Sequence, residues 1–143
     1  MAEYDVKNQP SQRMVYVKMS GFWNDSDVDG VVKMYYSRVT YHGRTHMVIA
    51  DMRGMKPMQP TVAERLGHFI AETRKLGVVL CAHISDHTVQ RLQAARVVRQ
   101  NSPIDDITVD VASLEEAHKV LAELRTRLDD PRYQGSIRDP IHV

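Results

Sequence analysis

Apolar and polar residues alternate through Val15, Tyr16, Val17, Lys18, Met19 and Ser20, the period-two mark of a strand with one buried face. Tyr4 to Lys7 is expected to pair with it, antiparallel, across the turn-rich Asn8-Gln9-Pro10-Ser11. The period then changes. Val28, Val31, Val32, Tyr35, Tyr36 and Val39 recur at helical spacing behind Asn24-Asp25-Ser26-Asp27, which offers several N-caps, and this amphipathic helix is expected to end near Gly43. Met47-Val48-Ile49-Ala50 is almost wholly apolar, as a parallel strand covered on both faces should be.

Thr61-Val62-Ala63-Glu64 fits a capping box, in which the threonine hydroxyl accepts an orphan amide and the glutamate reaches back, together worth about 1 kcal/mol. Val62, Leu66, Phe69, Ile70 and Thr73 form the inward stripe of the helix it opens, and Gly77 supplies a left-handed C-terminal cap. Val78-Val79-Leu80-Cys81-Ala82 predicts another buried strand. Ser85 or Asp86 then caps a helix with Val89, Leu92, Ala94 or Ala95, and Val98 facing inward, stopped by Asn101-Ser102-Pro103. Ile107, Val109 and Val111 make a last alternating strand, and Ser113-Leu114-Glu115-Glu116 is a second capping box, opening a helix with Leu114, Ala117, Leu121, Leu124 and Leu128 on one side. The pattern predicts an α/β fold: a mainly parallel sheet of about five strands, with an initial antiparallel strand and four helices. One domain is expected over residues 1–128, with 129–143, which carries two prolines and no period, as a flexible tail.

Length and charge narrow the function classes. At 143 residues the chain can bury one full core. With 19 basic and 18 acidic residues the net charge is +1, so no overall field draws nucleic acid or an anionic membrane to it. Arg91, Arg96 and Arg99 share their stretch with Gln90, Gln93 and Gln100 and read as a solvated face. The lone Cys81 excludes an internal disulfide and reads as a buried, inert thiol. The start, MAEYDVKNQPSQRM, has no signal-peptide character, and no apolar run approaches the roughly 20 residues that span a bilayer; a soluble cytoplasmic protein is expected. Neither a dinucleotide fingerprint nor a phosphate loop is present. The pairs His42/His46 and His83/His87 straddle turns and lack a completing cysteine or carboxylate, so neither a metal nor another cofactor is expected.

The order of elements, with Gly21-Phe22-Trp23-Asn24 after the second strand and Asp51-Met52-Arg53-Gly54 ending the third, resembles the STAS domain of bacterial anti-sigma-factor antagonists and of the cytoplasmic ends of sulfate transporters. That family commonly carries Asp-Leu-Ser-Gly followed by a loop with Asp-Ser-Ser-Gly. Laid on without a gap, the family's aspartate falls on Gln59, its phosphorylated serine on Pro60, the next serine on Thr61 and the glycine on Val62. Proline has no hydroxyl to phosphorylate. The resemblance therefore implies a protein-binding fold, with an anti-sigma-factor-like kinase as partner and without the phosphorylation cycle.

A helix N-terminus presents free amides and the positive end of its dipole, and can receive a carboxylate or phosphate. Arg53 and Lys56 stand beside this one, so a partner surface is expected over residues 53–65, comprising Arg53, Gly54, Met55, Lys56, Met58, Pro60, Thr61, Val62 and Arg65. The plainer alternative is an ordinary strand-to-helix connection. Met52, Met55 and Met58 suit either an adaptable surface or an irregular gap beneath the loop. A second reading puts a small apolar or lipid-like ligand, or an acid–base site, on the same rim at Phe22, Trp23, Asp51 and His83, because ligands of parallel sheets gather at strand exits. A third is a homodimer through Tyr35 and Tyr36. No catalytic residue is assigned, since catalysis needs a nucleophile, a base and an orienting group to converge.

Overall fold

Pro10–Gln12 form one 3-10 turn, begun by the preset φ of proline, and Arg13 follows in a left-handed conformation with φ 51°. The chain reverses there, and β1 (Glu3–Gln9) pairs antiparallel with β2 (Met14–Ser20), Val6 opposite Val17. The computed structural model describes residues 2–39, 45–85 and 107–128. α1 (Asp25–Arg38) starts from a reciprocal cap: the Asn24 side chain accepts the Asp27 amide at 3.1 Å, and the Asp27 carboxylate accepts the Asn24 amide at 2.8 Å. β3 (His46–Asp51), α2 (Pro60–Lys75), β4 (Val78–Ile84), β5 (Thr108–Val111) and α3 (Leu114–Arg125) follow.

The five strands lie in the order β1-β2-β3-β4-β5, parallel after the first pair. The helix count differs from the expectation of four. Among the described residues three helices, α1, α2 and α3, flank the sheet beside the short turn of Pro10–Gln12. The three described helices are those that begin after Asn24, at Pro60 and after Ser113. The expected helix after Ser85, with Arg91, Arg96 and Arg99, falls on 86–106 and lies outside the described residues, as do His42, Gly43, His87 and the tail 129–143.

Two apolar layers hold the sheet. On one face Val15, Val17, Val48, Ala50 and Cys81 pack under α1 and α2 through Val31, Tyr35, Val62 and Leu66. On the other Met47, Ile49, Leu80, Ala82 and Ile84 pack under α3 through Ala117, Leu121 and Leu124. Every residue of β3 and β4 is buried, which is why both read as unbroken apolar runs. Over β1 and β2 the α3 side of the sheet changes character: Asp5 stands opposite Lys18 and Lys7 opposite Tyr16, a polar surface that needs no covering helix. Buried His46 meets the Tyr35 hydroxyl at 3.1 Å across the α1 interface. Gly30 lets Tyr4 approach α1, since a Cβ there would lie 1.9 Å from the Tyr4 hydroxyl. No helix of the described residues is long and apolar enough to cross a membrane.

Candidate functional site

The segment between β3 and α2 is stitched to the end of β2. The Gly21 amide donates to the Gly54 carbonyl at 3.0 Å and the Lys56 amide to the Gly21 carbonyl at 3.0 Å, so the parallel ladder continues one step past the named strands, as a bridge between Gly21 and Met55. Gly54 adopts φ 82°, a conformation costly for any residue with a Cβ, and thereby turns the chain. Met52 and Met55 point down into the core, and Met58 is half-buried against it; of the two roles open to the methionines, gap-filling beneath the loop is the one the structure assigns to Met52 and Met55. Arg53, Gly54, Lys56, Pro57, Gln59, Pro60 and Thr61 are exposed.

α2 begins at Pro60, with Gln59 in the N-cap position and no side-chain cap. Proline is favoured at the first helical position because its φ is preset and the amide it lacks would be an orphan there. It moves the start of the helix ahead of Thr61, which becomes the second helical residue and not a cap; the expected Thr61–Glu64 capping box is not formed. The amides of Thr61 and Val62 have no intrahelical acceptor, and the first turn carries no acidic side chain. Val62 itself is buried, so its side chain belongs to the core and only its backbone serves the helix mouth.

At the end of β3, on the opposite face of the sheet from α2, lies a polar cluster, so Arg53 does not flank the helix mouth as expected. Asp51, 3% exposed, points to the α3 side of the sheet and accepts Arg53 Nε at 2.9 Å, Arg53 Nη2 at 2.7 Å and the hydroxyl of Tyr16. Burial pulls the Asp51 carboxyl upward, but hydrogen bonds from Arg53 and Tyr16 outweigh it and leave the group below the ordinary aspartate value. Burial, reinforced by the hydrogen bond to Asp51, pushes the Tyr16 hydroxyl up to about 12. The Asp51 hydrogen bond holds Arg53 firmly protonated.

The remaining expected site residues do not form one pocket. Phe22 is 65% exposed on the rim, whereas Trp23 is buried, its indole N–H donating to the Ser20 carbonyl at 2.9 Å and its ring lying against Tyr4 at 5.5 Å between centroids. His83 pairs in register with Ala50, and Asp51 with Ile84, so the pleat sends Asp51 and His83 to opposite faces of the sheet. Arg65 turns toward α1, where it pairs with Asp29 and lies 3.6 Å from Asp25. Tyr35 is buried and Tyr36 exposed, so only the latter offers a surface. An apolar cavity of ≈ 40 Å³ lies between the sheet and α1 and α2, lined by residues including Val48, Met52, Phe69, Cys81 and His83.

Sequence reasoning missed Tyr16 as the partner of Asp51. The signal was present but ambiguous: Tyr16 is on the polar register of an alternating strand, and its contact with Asp51 depends on which strand lies next to β2. Compared with known proteins, the chain matches no family model and no curated protein.

Proposed function

We propose that this chain is a non-enzymatic, STAS-like protein-binding module that docks a protein partner at the β3–α2 rim, with an anti-sigma-factor-like kinase as the partner class. The observation that carries this reading is the mostly exposed loop from Arg53 to Thr61, pinned through its backbone at Gly54, Met55 and Lys56 and leading into a helix N-terminus without a side-chain cap. A pinned loop loses little conformational freedom on binding, which lowers the cost of forming a complex. Phe22 adds an exposed apolar anchor on the neighbouring strand exit, and Lys56 a cation. Because Pro60 stands where the family's phosphorylated serine would be, docking here is constitutive. Arg65 serves the α1–α2 contact and is set apart from the docking residues.

The acid–base alternative is weakened by the opposite facing of Asp51 and His83. The small-ligand alternative is reduced in scale: at ≈ 40 Å³ the cavity falls well below the roughly 300 Å³ of ordinary ligand pockets.

The test is a photo-reactive amino acid placed singly at Phe22, at Lys56 and, as control, at Lys119 on the exposed side of α3, followed by cross-linking in cells of the source organism. One partner captured from both rim positions and absent from position 119 is the expected result, with Phe22→Asp abolishing its binding in purified form. Equal capture from all three positions, or binding indifferent to Phe22→Asp and Lys56→Glu, rejects the rim.

A further inference from the structure

A buried carboxylate is tolerated only when it is paired and its oxygens are hydrogen-bonded. Asp51 meets that condition through Tyr16 and two donors of Arg53, and the consequence falls on the arginine. The Arg53 side chain is 44% exposed, yet its Nε and Nη2 are clamped from behind. The guanidinium plane is thus held, and the Nη1 side of the fork, without an acceptor among the described residues, faces away from the carboxylate. Lys18, exposed, is the register partner of Asp51 on the same sheet face, and exposed Lys7 stands beside Tyr16 there. Of the acids on that face among the described residues, Asp51 is engaged as described, Asp5 is paired with Arg38 at 2.5 Å, and Glu3 stands opposite Ser20 on the outer strand.

We infer that Arg53 and Lys18 form a receptor for a single oxyanion group, a carboxylate or a phosphate, on the α3 side of the rim, with Asp51 and Tyr16 as positioning residues. A guanidinium fork matches the paired oxygens of such a group, and an arginine already ordered gives up less entropy on binding than a free one. Lys18 adds a point charge from the adjacent strand. The site shares Arg53 with the docking rim but uses neither the mouth of α2 nor Phe22, so either site can fail while the other stands.

The experiment is a titration of the ¹⁵N-labelled full chain with inorganic phosphate and, separately, with acetate, at constant ionic strength. A saturable shift of the Arg53 Nε–Hε and Gly54 amide signals is expected, weakened at least about tenfold by Arg53→Gln, the worth of one charge-assisted hydrogen bond, and weakened also by Lys18→Gln. Saturation by phosphate alone identifies a phosphate group, and saturation by acetate alone a carboxylate. Tyr16→Phe should lower the affinity and speed exchange of the Arg53 Nε proton with water while leaving the backbone spectrum dispersed, a response that a merely structural tyrosine would not produce. Shifts that stay linear, spread over many surface lysines, or persist in Arg53→Gln overturn the assignment.

Discussion

Asp51 shows how a single buried charge links stability to pH. Its folded carboxyl lies below the unfolded aspartate value of about 4, so its contribution is full above that value and is lost as the pH falls through the lower folded one. Tyr16 works at the other end. Its folded hydroxyl titrates at about 12, above the unfolded value, so its contribution is full below the unfolded pKa and fades as the pH rises toward 12. Ultraviolet titration should therefore show a tyrosine ionising near pH 12 that Tyr16→Phe removes. Urea midpoints measured at rising alkaline pH should fall in the wild type and fall less in Tyr16→Phe; identical slopes would detach Tyr16 from Asp51.

The helices separate what a local motif can promise from what it delivers. Asn24 and Ser113 both accept an amide of the first turn, at 3.1 Å each, and the Glu116 carboxylate accepts the Ala112 amide. Replacing either cap by alanine should cost about 1 kcal/mol, read as a lower urea midpoint with an unchanged slope. Thr61→Ala should cost much less, because Pro60 begins α2 and Thr61 caps nothing. An effect of Thr61→Ala equal to that of Ser113→Ala would show that the helix starts later in solution. The capping-box spelling was half right for residues 113–116, where Ser113 caps the helix but Glu116 takes the Ala112 amide and not that of Ser113, and misleading for 61–64, since a preceding proline takes the first helical position.

At the scale of the molecule, α1 and α2 cover one face of the sheet and α3 the other among the described residues, and a cavity lies on the α1–α2 side. The cavity of ≈ 40 Å³ beside Val48 has room for an added methylene. Val48→Ile should stabilise the fold by about 0.8 kcal/mol, the transfer worth of one buried methylene, and raise the melting temperature by about 3 °C in scanning calorimetry. A lower melting temperature would mean that the space closes in solution and that the larger side chain is strained. The same covering explains why the expected rim pocket dispersed: Trp23, Met52, Met55 and His83 were drawn into the core, and Phe22 was left as the exposed apolar residue of the rim.

The strands of this protein and two of its helix starts were legible from the chain alone, because pleat alternation, unbroken apolar runs and the caps at Asn24 and Ser113 are interactions among near neighbours. The sequence also marked the rim, since Asp51 and Gly54 punctuate the end of an apolar run. Only the tertiary structure decided which rim residues face outward and which are spent internally. Arg65 was committed to α1 by acids at least 36 residues earlier, Tyr16 to Asp51 by the pairing of β2 with β3, and Asp51 and His83 to opposite faces by the register of β3 on β4. The first depends on how α2 packs on α1; the other two depend on strand register, where a shift of one residue would turn every side chain of a strand to the other face.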